Sequence, residues 1–253
     1  MNLFRRILPL VVLLMVVSPG GAEAQNLQGW FNAIINWEKS ERLVYELDFE
    51  PKGLLVASEG EADWRNLDIT PNVEFSPNGW LDLIGETVTG YTRQTDDVNS
   101  FEVSPRVGVR FHFLSRGVPT AVRSKERPPA RRIVIRDLVR VEFRNLFYTG
   151  EGEGTDSTVR FRNRIEFLVP LNREKMSQDG ARYLMADWEV YIPLNDVEER
   201  FANKQRIRAG MGYRRSAAWR FEALYMWTKS RNTIEDGFRT SENIIDIRVK
   251  RIF

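Results

Sequence analysis

Residues 132–171 read RIVIRDLVRVEFRNLFYTGEGEGTDSTVRFRNRIEFLVPL, two long segments joined by the acidic, glycine-rich link Gly150-Glu151-Gly152-Glu153-Gly154-Thr155-Asp156. In the first segment Ile133, Ile135, Val139, Val141, Phe143 and Phe147 share one parity, and Arg132, Arg136, Arg140, Glu142 and Arg144 share the other. The second segment repeats the arrangement, with Val159, Phe161, Ile165, Phe167 and Val169 set against Arg160, Arg162, Arg164 and Glu166. A period of two places successive side chains on opposite faces of an extended chain, so both segments are predicted strands paired as a hairpin. Neighbouring guanidiniums repel one another unless acids or water surround them. The charged face therefore needs water and the apolar face needs something oily. A soluble sheet with a dry core meets both needs, and so does a membrane barrel with a wet interior and a lipid-facing exterior.

The start of the chain reads as an export signal. Arg5 and Arg6 precede the apolar run Ile7 to Val17, followed by Ser18-Pro19-Gly20-Gly21 and the small-residue pattern Ala22-Glu23-Ala24. The run is too short to span a bilayer, and its order of charge, apolar run and cut site predicts a signal peptide over residues 1–24, cleaved after Ala24. Residues 25–253 are then one exported domain. No later run approaches the roughly 18 apolar residues of a membrane helix. The absence of cysteine excludes disulfides, thiolate metal sites and a cysteine nucleophile. Lys plus Arg is 37 against 35 for Asp plus Glu, too balanced a sum to point to nucleic acid.

Downstream, short alternating segments follow one another closely. The predicted strands are Gly29 to Glu38, Arg42 to Glu50, Leu54 to Gly60, Trp64 to Ser76, Leu81 to Arg93, Asn99 to Leu114, Arg132 to Thr149, Thr158 to Leu171, Arg182 to Leu194, Gln205 to Arg215, Ala218 to Lys229 and Asn243 to Phe253. They make about twelve, an antiparallel meander of the kind that builds all-β barrels. An even number places both termini at the periplasmic side of a bacterial outer-membrane barrel, and the strand Leu54 to Gly60 supplies that parity. Pro51-Lys52-Gly53, Ser76-Pro77-Asn78-Gly79 and Arg215-Ser216-Ala217 are predicted periplasmic turns, with the longer basic stretch Arg116 to Arg131 as a solvated periplasmic connection. Thr95 to Val98, Gly150 to Ser157, Asn195 to Asn203 and Ser230 to Ser241 are predicted outer loops.

The last strand favours the membrane. Ile245, Ile247, Val249 and Phe253 alternate with Asp246, Arg248 and Lys250. An alternating strand that ends on phenylalanine resembles the assembly signal of Gram-negative outer-membrane barrels, which implies the barrel assembly machinery as a partner. Arg251 departs from that pattern, and its long side chain can snorkel into the headgroup zone. On Ala218 to Lys229, Trp219 and Trp227 bracket Phe221, Ala223 and Tyr225. Eight residues at about 3.3 Å each, foreshortened by tilt, span roughly 20 to 26 Å, near the height of a lipid-facing band with aromatic girdles. Asn99 to Leu114 alternates as cleanly, with Phe101, Val103, Val107, Val109, Phe111 and Phe113 opposite Glu102, Ser104, Arg106, Gly108, Arg110 and His112. The predicted fold is thus an all-β, antiparallel up-and-down transmembrane β-barrel in contact with outer-membrane lipids.

The layout from Trp30, through Arg208-Ala209-Gly210-Met211-Gly212-Tyr213-Arg214, to Phe253 resembles an uncharacterised Gram-negative outer-membrane β-barrel family known only as a domain of unknown function. In size and basic interior the chain is also similar to the small acidic-oligosaccharide porins, a likeness of architecture that transfers no binding residue. The predicted lumen is unevenly charged. Asp68, Glu74, Asp82 and Glu86 come from two early strands. Arg136, Arg140, Arg144, Arg160, Arg162 and Arg164 come from the central hairpin, with Asp187, Glu189, Arg206, Arg208 and Arg214 beyond it.

Fixed guanidiniums in a low-dielectric wall concentrate anions, so a narrow porin-like channel for small anionic solutes is expected, with Arg136, Arg140, Arg144, Arg160, Arg162, Arg164, Arg206 and Arg208 as its pore-lining, anion-binding set. The competing expectation is a structural barrel whose arginines pair with Glu142, Glu166, Asp187, Glu189 and Glu222 and fill the lumen. The alternatives in other classes are an outer-membrane lipid hydrolase and a soluble periplasmic β protein. Hydrolysis is disfavoured because His112, the one histidine, sits on an inward face beside Arg110 and no Gly-x-Ser-x-Gly or His-Glu-x-x-His occurs. No catalytic residue, cofactor or metal is expected. Glu151, Glu153 and Asp156 read as a solvated acidic loop, lacking the spaced oxygen ligands of a calcium motif.

Overall fold

The structure, a computed structural model, describes residues 26–57, 63–94, 99–113, 133–149, 154–195, 204–230 and 239–253. The predicted signal peptide and its cut site, the basic stretch 116–131, and Glu151 and Glu153 lie outside the described residues. Eleven strands make up the described chain: β1 (Leu27–Glu38), β2 (Leu43–Val56), β3 (Trp64–Asn78), β4 (Leu81–Gln94), β5 (Asn99–His112), β6 (Val134–Thr149), β7 (Gly154–Pro170), β8 (Ala181–Pro193), β9 (Lys204–Ser216), β10 (Trp219–Ser230) and β11 (Arg239–Ile252). Each pairs with its sequence neighbours, and β1 meets β11 to close a barrel. Closure satisfies the backbone groups that an open sheet leaves at its edges.

The count corrects the twelve strands expected from the sequence. Pro51-Lys52-Gly53 is not a turn but the middle of β2. Lys52 pairs with Trp30 on β1 and Asn66 on β3, and Gly53 pairs with Gly29 and Arg65. Pro51 has no N–H to donate. It pairs with Leu67 on the β3 side, while the β1 ladder skips from Trp30–Lys52 to Ala33–Phe49. The proline thus removes a rung and leaves the direction of the chain unchanged. The predicted strands Arg42 to Glu50 and Leu54 to Gly60 are one strand as far as Val56.

An odd ring of alternating strands has to close on a parallel pair. β1 and β11 run parallel, from Leu27–Asn243 to Asn36–Ile252. The start of β1 and the end of β11 therefore lie at opposite rims, which corrects the expectation that both termini share one side. Elsewhere the strands differ from the sequence reading mainly at their ends. β7 starts at Gly154 rather than Thr158, because Thr155 and Asp156 of the acidic link pair with Phe147 and Leu146.

The barrel buries carboxylates and exposes many large apolar side chains, while a smaller apolar set, Val44, Ile84, Val88, Met226 and Ile244 among them, is buried. Asp82, Glu142, Glu189 and Asp246 are fully buried, whereas Phe31, Leu67, Phe101, Val107, Phe143, Trp188 and Ile207 are exposed. Parity alone sorts them, since every inward residue of a strand is flanked by outward ones. The apolar cluster of buried residues is small: Leu168, Tyr183, Met185 and Leu224, with Val134 and Met176 against it. Its members face inward near the rim that carries Phe253, and they floor that part of the lumen. Gly212 makes the floor possible. A Cβ there would lie 2.0 Å from Cζ of Tyr183, so the ring rests directly on the wall, and its hydroxyl donates to Glu222 at 2.5 Å.

Aromatic side chains gather towards both rims of the outer face. Near Phe253, ring pairs form between Trp37 and Phe253, Trp80 and Phe111, and Trp219 and Phe221, with centroids 6.3, 6.3 and 6.2 Å apart. The Arg251 guanidinium lies 4.8 Å from the Trp219 ring centre and 4.9 Å from that of Phe253. Its charge is thus accommodated on ring faces at the rim. Towards the other rim, Phe101 packs on Phe147 and Tyr225 on Trp227.

Candidate functional site: the charged lumen

The inward positions of all eleven strands enclose a polar cavity of about 740 Å³. Arg136, Arg140 and Arg144 reach it from β6, Arg160, Arg162 and Arg164 from β7, and Arg206 and Arg208 from β9, so the structure brings all eight predicted residues to one space. Seven have a carboxylate partner. Arg136 pairs with Glu166 and Arg140 with Glu86. Arg144 lies 3.0 Å from Glu102, Arg160 2.6 Å from Glu142, and Arg162 2.5 Å from Glu189. Arg208 lies 2.8 Å from Asp187 and Arg206 a looser 3.5 Å from Glu189. Arg164 alone of the eight has no ion pair within 4 Å among the described residues.

Glu142 organises the basic wall. Arg140 stands directly across the ladder from Arg162, an arrangement that repels. Glu142 lies beneath both, with oxygens 2.6 Å from Arg160, 2.8 Å from Arg162, 3.4 Å from Arg106 and 3.5 Å from Arg140. Its exposure is 0 %. Glu142, Asp187 and Glu189 sit behind the arginines and contribute nothing to the cavity lining, while the guanidiniums they neutralise do line it. For these pairs the cations face the cavity and the counter-charges face the wall, whereas Glu86, Glu102 and Glu166, the partners of Arg140, Arg144 and Arg136, line the cavity themselves.

Parity placed Arg106 and Arg110 on the inward face of β5 without assigning them to the site, and it gave Lys204 and Tyr191 no role. Arg106 and Arg110 extend the basic wall onto β5, and Lys204 extends it to the start of β9. Tyr191 carries cations around its ring, with Arg160 and Arg162 at 4.7 Å, Lys204 at 5.2 Å and Arg206 at 5.5 Å from its centre. Arg206 and Lys52 also lie over Trp30, at 5.1 and 4.5 Å. The signal that finds such residues is an aromatic side chain at an inward position among charges, a setting that favours cation–π contact.

The opposite wall is acidic. Glu46, Asp48 and Glu50 occupy successive inward positions of β2, and Asp68, Glu74 and Glu86 continue the wall on β3 and β4. Of the acids on these early strands, Asp68, Glu74, Asp82 and Glu86 were expected in the lumen; Glu46, Asp48 and Glu50 lie within the predicted strand Arg42 to Glu50 but were not counted among the lumen charges. Ion pairs close the seams between the two walls, with Arg110 at 2.5 Å from Glu74, Arg106 at 3.3 Å from Glu86 and Lys250 at 2.7 Å from Glu46. Glu222 is not a partner of the eight arginines. It accepts from Tyr183 and lies 4.0 Å from Arg248, because the floor residues hold it near the rim.

His112 is buried beside Asp82, its Nε2 2.6 Å from a carboxylate oxygen. The Ser76 hydroxyl donates to the same carboxylate at 2.7 Å. The carboxylate thus stands between serine and histidine, the wrong order for a histidine base to activate a serine nucleophile. All three are buried, and together they tie β3, β4 and β5 at one rim. Asp156, the described member of the acidic link's three carboxylates, accepts from the Tyr148 hydroxyl at 3.1 Å.

No curated protein matches this chain in sequence. A family match does cover it, from Leu27, the first residue of β1, to Arg239, the first of β11. That span takes in ten whole strands and the lumen they enclose, and the chain belongs to the family of proteins of unknown function DUF2490.

Proposed function

We propose that this protein is an outer-membrane barrel and a narrow conduit for small charged solutes, with its arginine wall contacting their anionic groups. The observation that carries the reading is the burial pattern: fully buried carboxylates inside, and exposed Phe, Leu, Trp and Ile around the outside. Exposed apolar patches beyond a few hundred Å² mark a partner surface, and this one surrounds the whole barrel and ends in aromatic residues near both rims. Lipid is the partner that suits such a belt. In this arrangement the Phe253 rim faces the periplasm, the assembly machinery recognises the last strand, and the signal peptide directs export and is cleaved after Ala24. A conduit is favoured over a filled structural barrel by the cavity of about 740 Å³ that persists beside the ion pairs. It is favoured over a lipid hydrolase by the inactive order of Ser76, Asp82 and His112.

The test is single-channel recording of the refolded protein in a planar bilayer, with the reversal potential measured across a KCl gradient. Discrete steps are expected, with chloride preferred over potassium and the preference reduced by Arg140→Gln and by Arg162→Gln. Silence from a correctly inserted barrel would refute the conduit and leave a salt-bridged structural barrel.

A further inference from the structure

The lumen is divided by charge across its width, and this division names a solute class more specific than anions. Lys52 is the only cation that β1 to β4 contribute to the cavity lining among the described residues, and Glu166 is the only acid contributed by β6, β7 and β9. In a ring of eleven, β7 is five strands from β2 in one direction and six in the other, so the two walls face each other.

The register also fixes height. The ladder followed from Asp48 through β3 to β6 arrives at Thr158, near the start of β7. Followed the other way, through β1 and β11 to β9, it arrives at Ala181, at the β7–β8 turn beyond the far end of β7. Tilt carries the two paths to opposite rims, and the residue level with Asp48 lies midway between them, at Arg164.

Each of these two residues lacks an ion pair within 4 Å among the described residues, with its nearest opposite charges further off. Arg164 has no carboxylate within 4 Å among the described residues. On the facing strand Glu46 lies 2.7 Å from Lys250 of β11 and Glu50 lies 3.6 Å from Lys52, while Asp48 between them has no cation within 4 Å among the described residues. Three carboxylates in a row repel one another, and a cation entering the lumen relieves that repulsion.

Resting on the reading of the barrel as a conduit, we propose that the lumen selects small zwitterions, holding a carboxylate against Arg164 and an ammonium against Asp48 and Glu50. The width sets their length. Eleven strands about 4.8 Å apart and tilted by about 40° put facing backbones about 23 Å apart. An aspartate reaching about 3 Å inward and an arginine about 7 Å leave about 13 Å between their charges. A dipeptide about 7 Å long, with an ion-pair contact of about 3 Å at each end, fills that gap. A single amino acid is too short to touch both walls.

The experiment is current block by four molecules that share one backbone and differ in length by at most one atom, added to the full-length mature barrel in a planar bilayer. Glycylglycine is the zwitterion, N-acetylglycine the anion, glycylglycinamide the cation and N-acetylglycinamide the neutral control. Glycylglycine is expected to half-block at a concentration about tenfold below that of either singly charged molecule, since each adds only one of the two wall contacts. Glycine, which can reach only one wall at a time, should block no better than either singly charged molecule. Arg164→Gln should abolish the preference, and so should the double change Asp48→Asn with Glu50→Gln. Conductance with equal block by glycylglycine and N-acetylglycine would overturn this proposal and leave the conduit standing. No conductance from an inserted barrel would overturn both.

Discussion

Replacing Glu142 with glutamine tests whether the basic wall depends on a single buried charge. The side chain keeps its size and loses its charge, leaving Arg106, Arg140, Arg160 and Arg162 around a neutral amide. Breaking a buried pair by removing one partner costs about 3–5 kcal/mol, because the remaining charge is left uncompensated. Glu142 is 0 % exposed and serves four guanidiniums, so no screening by solvent reduces the figure, and a loss of about 4 kcal/mol is expected. That is close to a thousandfold in the folding equilibrium. The assay is urea unfolding of the vesicle-reconstituted barrel, followed by tryptophan emission. Glu50→Gln is the control, since Glu50 stands 3.6 Å from Lys52 and Lys52 keeps Asp68; its cost should stay below about 1 kcal/mol. Adding Arg160→Met to Glu142→Gln should recover at least about 1 kcal/mol by removing one of the four guanidiniums that then crowd a neutral amide. A cost below about 1 kcal/mol for Glu142→Gln itself would show that water or chloride neutralises these arginines, and the shared-carboxylate account would be wrong.

Two further outcomes are expected. Val107 is 57 % exposed and points outward from the middle of β5, so Val107→Arg should cost about 2–4 kcal/mol in vesicles if that face meets lipid. At a water-facing surface the same change would fall within about 0.5 kcal/mol by urea unfolding, and that result would remove the membrane reading. The parallel closure of β1 on β11 puts Leu27 and Ile252 at opposite rims, so an epitope placed between Gln25 and Asn26 should be labelled on intact cells, and one appended after Phe253 only in lysed cells. Labelling of both in the same condition would contradict an odd ring.

The sequence was most legible where the two faces of a closed sheet enforce a period of two. All eight arginines chosen by parity reach the lumen, because in a closed barrel a strand has only two faces and one of them is inside. Parity does not tell which carboxylate an inward arginine will choose. Arg140 takes Glu86 from two strands away, and Arg144 takes Glu102 from the adjacent strand. A long side chain inside a curved wall can reach past its nearest neighbour, so pairing depends on curvature and depth rather than on alternation. Likewise, the placing of Glu142 and Glu189 behind the guanidiniums, which lets a neutralised wall still present cations, is a property of side-chain length inside a ring. An arginine extends into the lumen, and a glutamate does not reach past it.

The remaining error came from Pro51, and its consequences show how one local conformation sets a global property. Proline followed by Lys-Gly is a strong turn signal because proline fixes φ and glycine relaxes it. Proline is also tolerated inside a strand where the missing N–H costs only one rung. Here β2 is held by both neighbours on either side of the gap, through Phe49 and Lys52 to β1 and through Glu50 to Gly53 to β3. A turn would forfeit all of those pairings to spare one, so the strand runs straight through. Running straight makes the count eleven, and eleven forces the parallel closure. It also keeps Glu46, Asp48, Glu50 and Lys52 on a single inward face. Lys52 joins the inward face of Glu46, Asp48 and Glu50 for the same reason that the start of β1 and the end of β11 are apart: the chain runs straight through its proline.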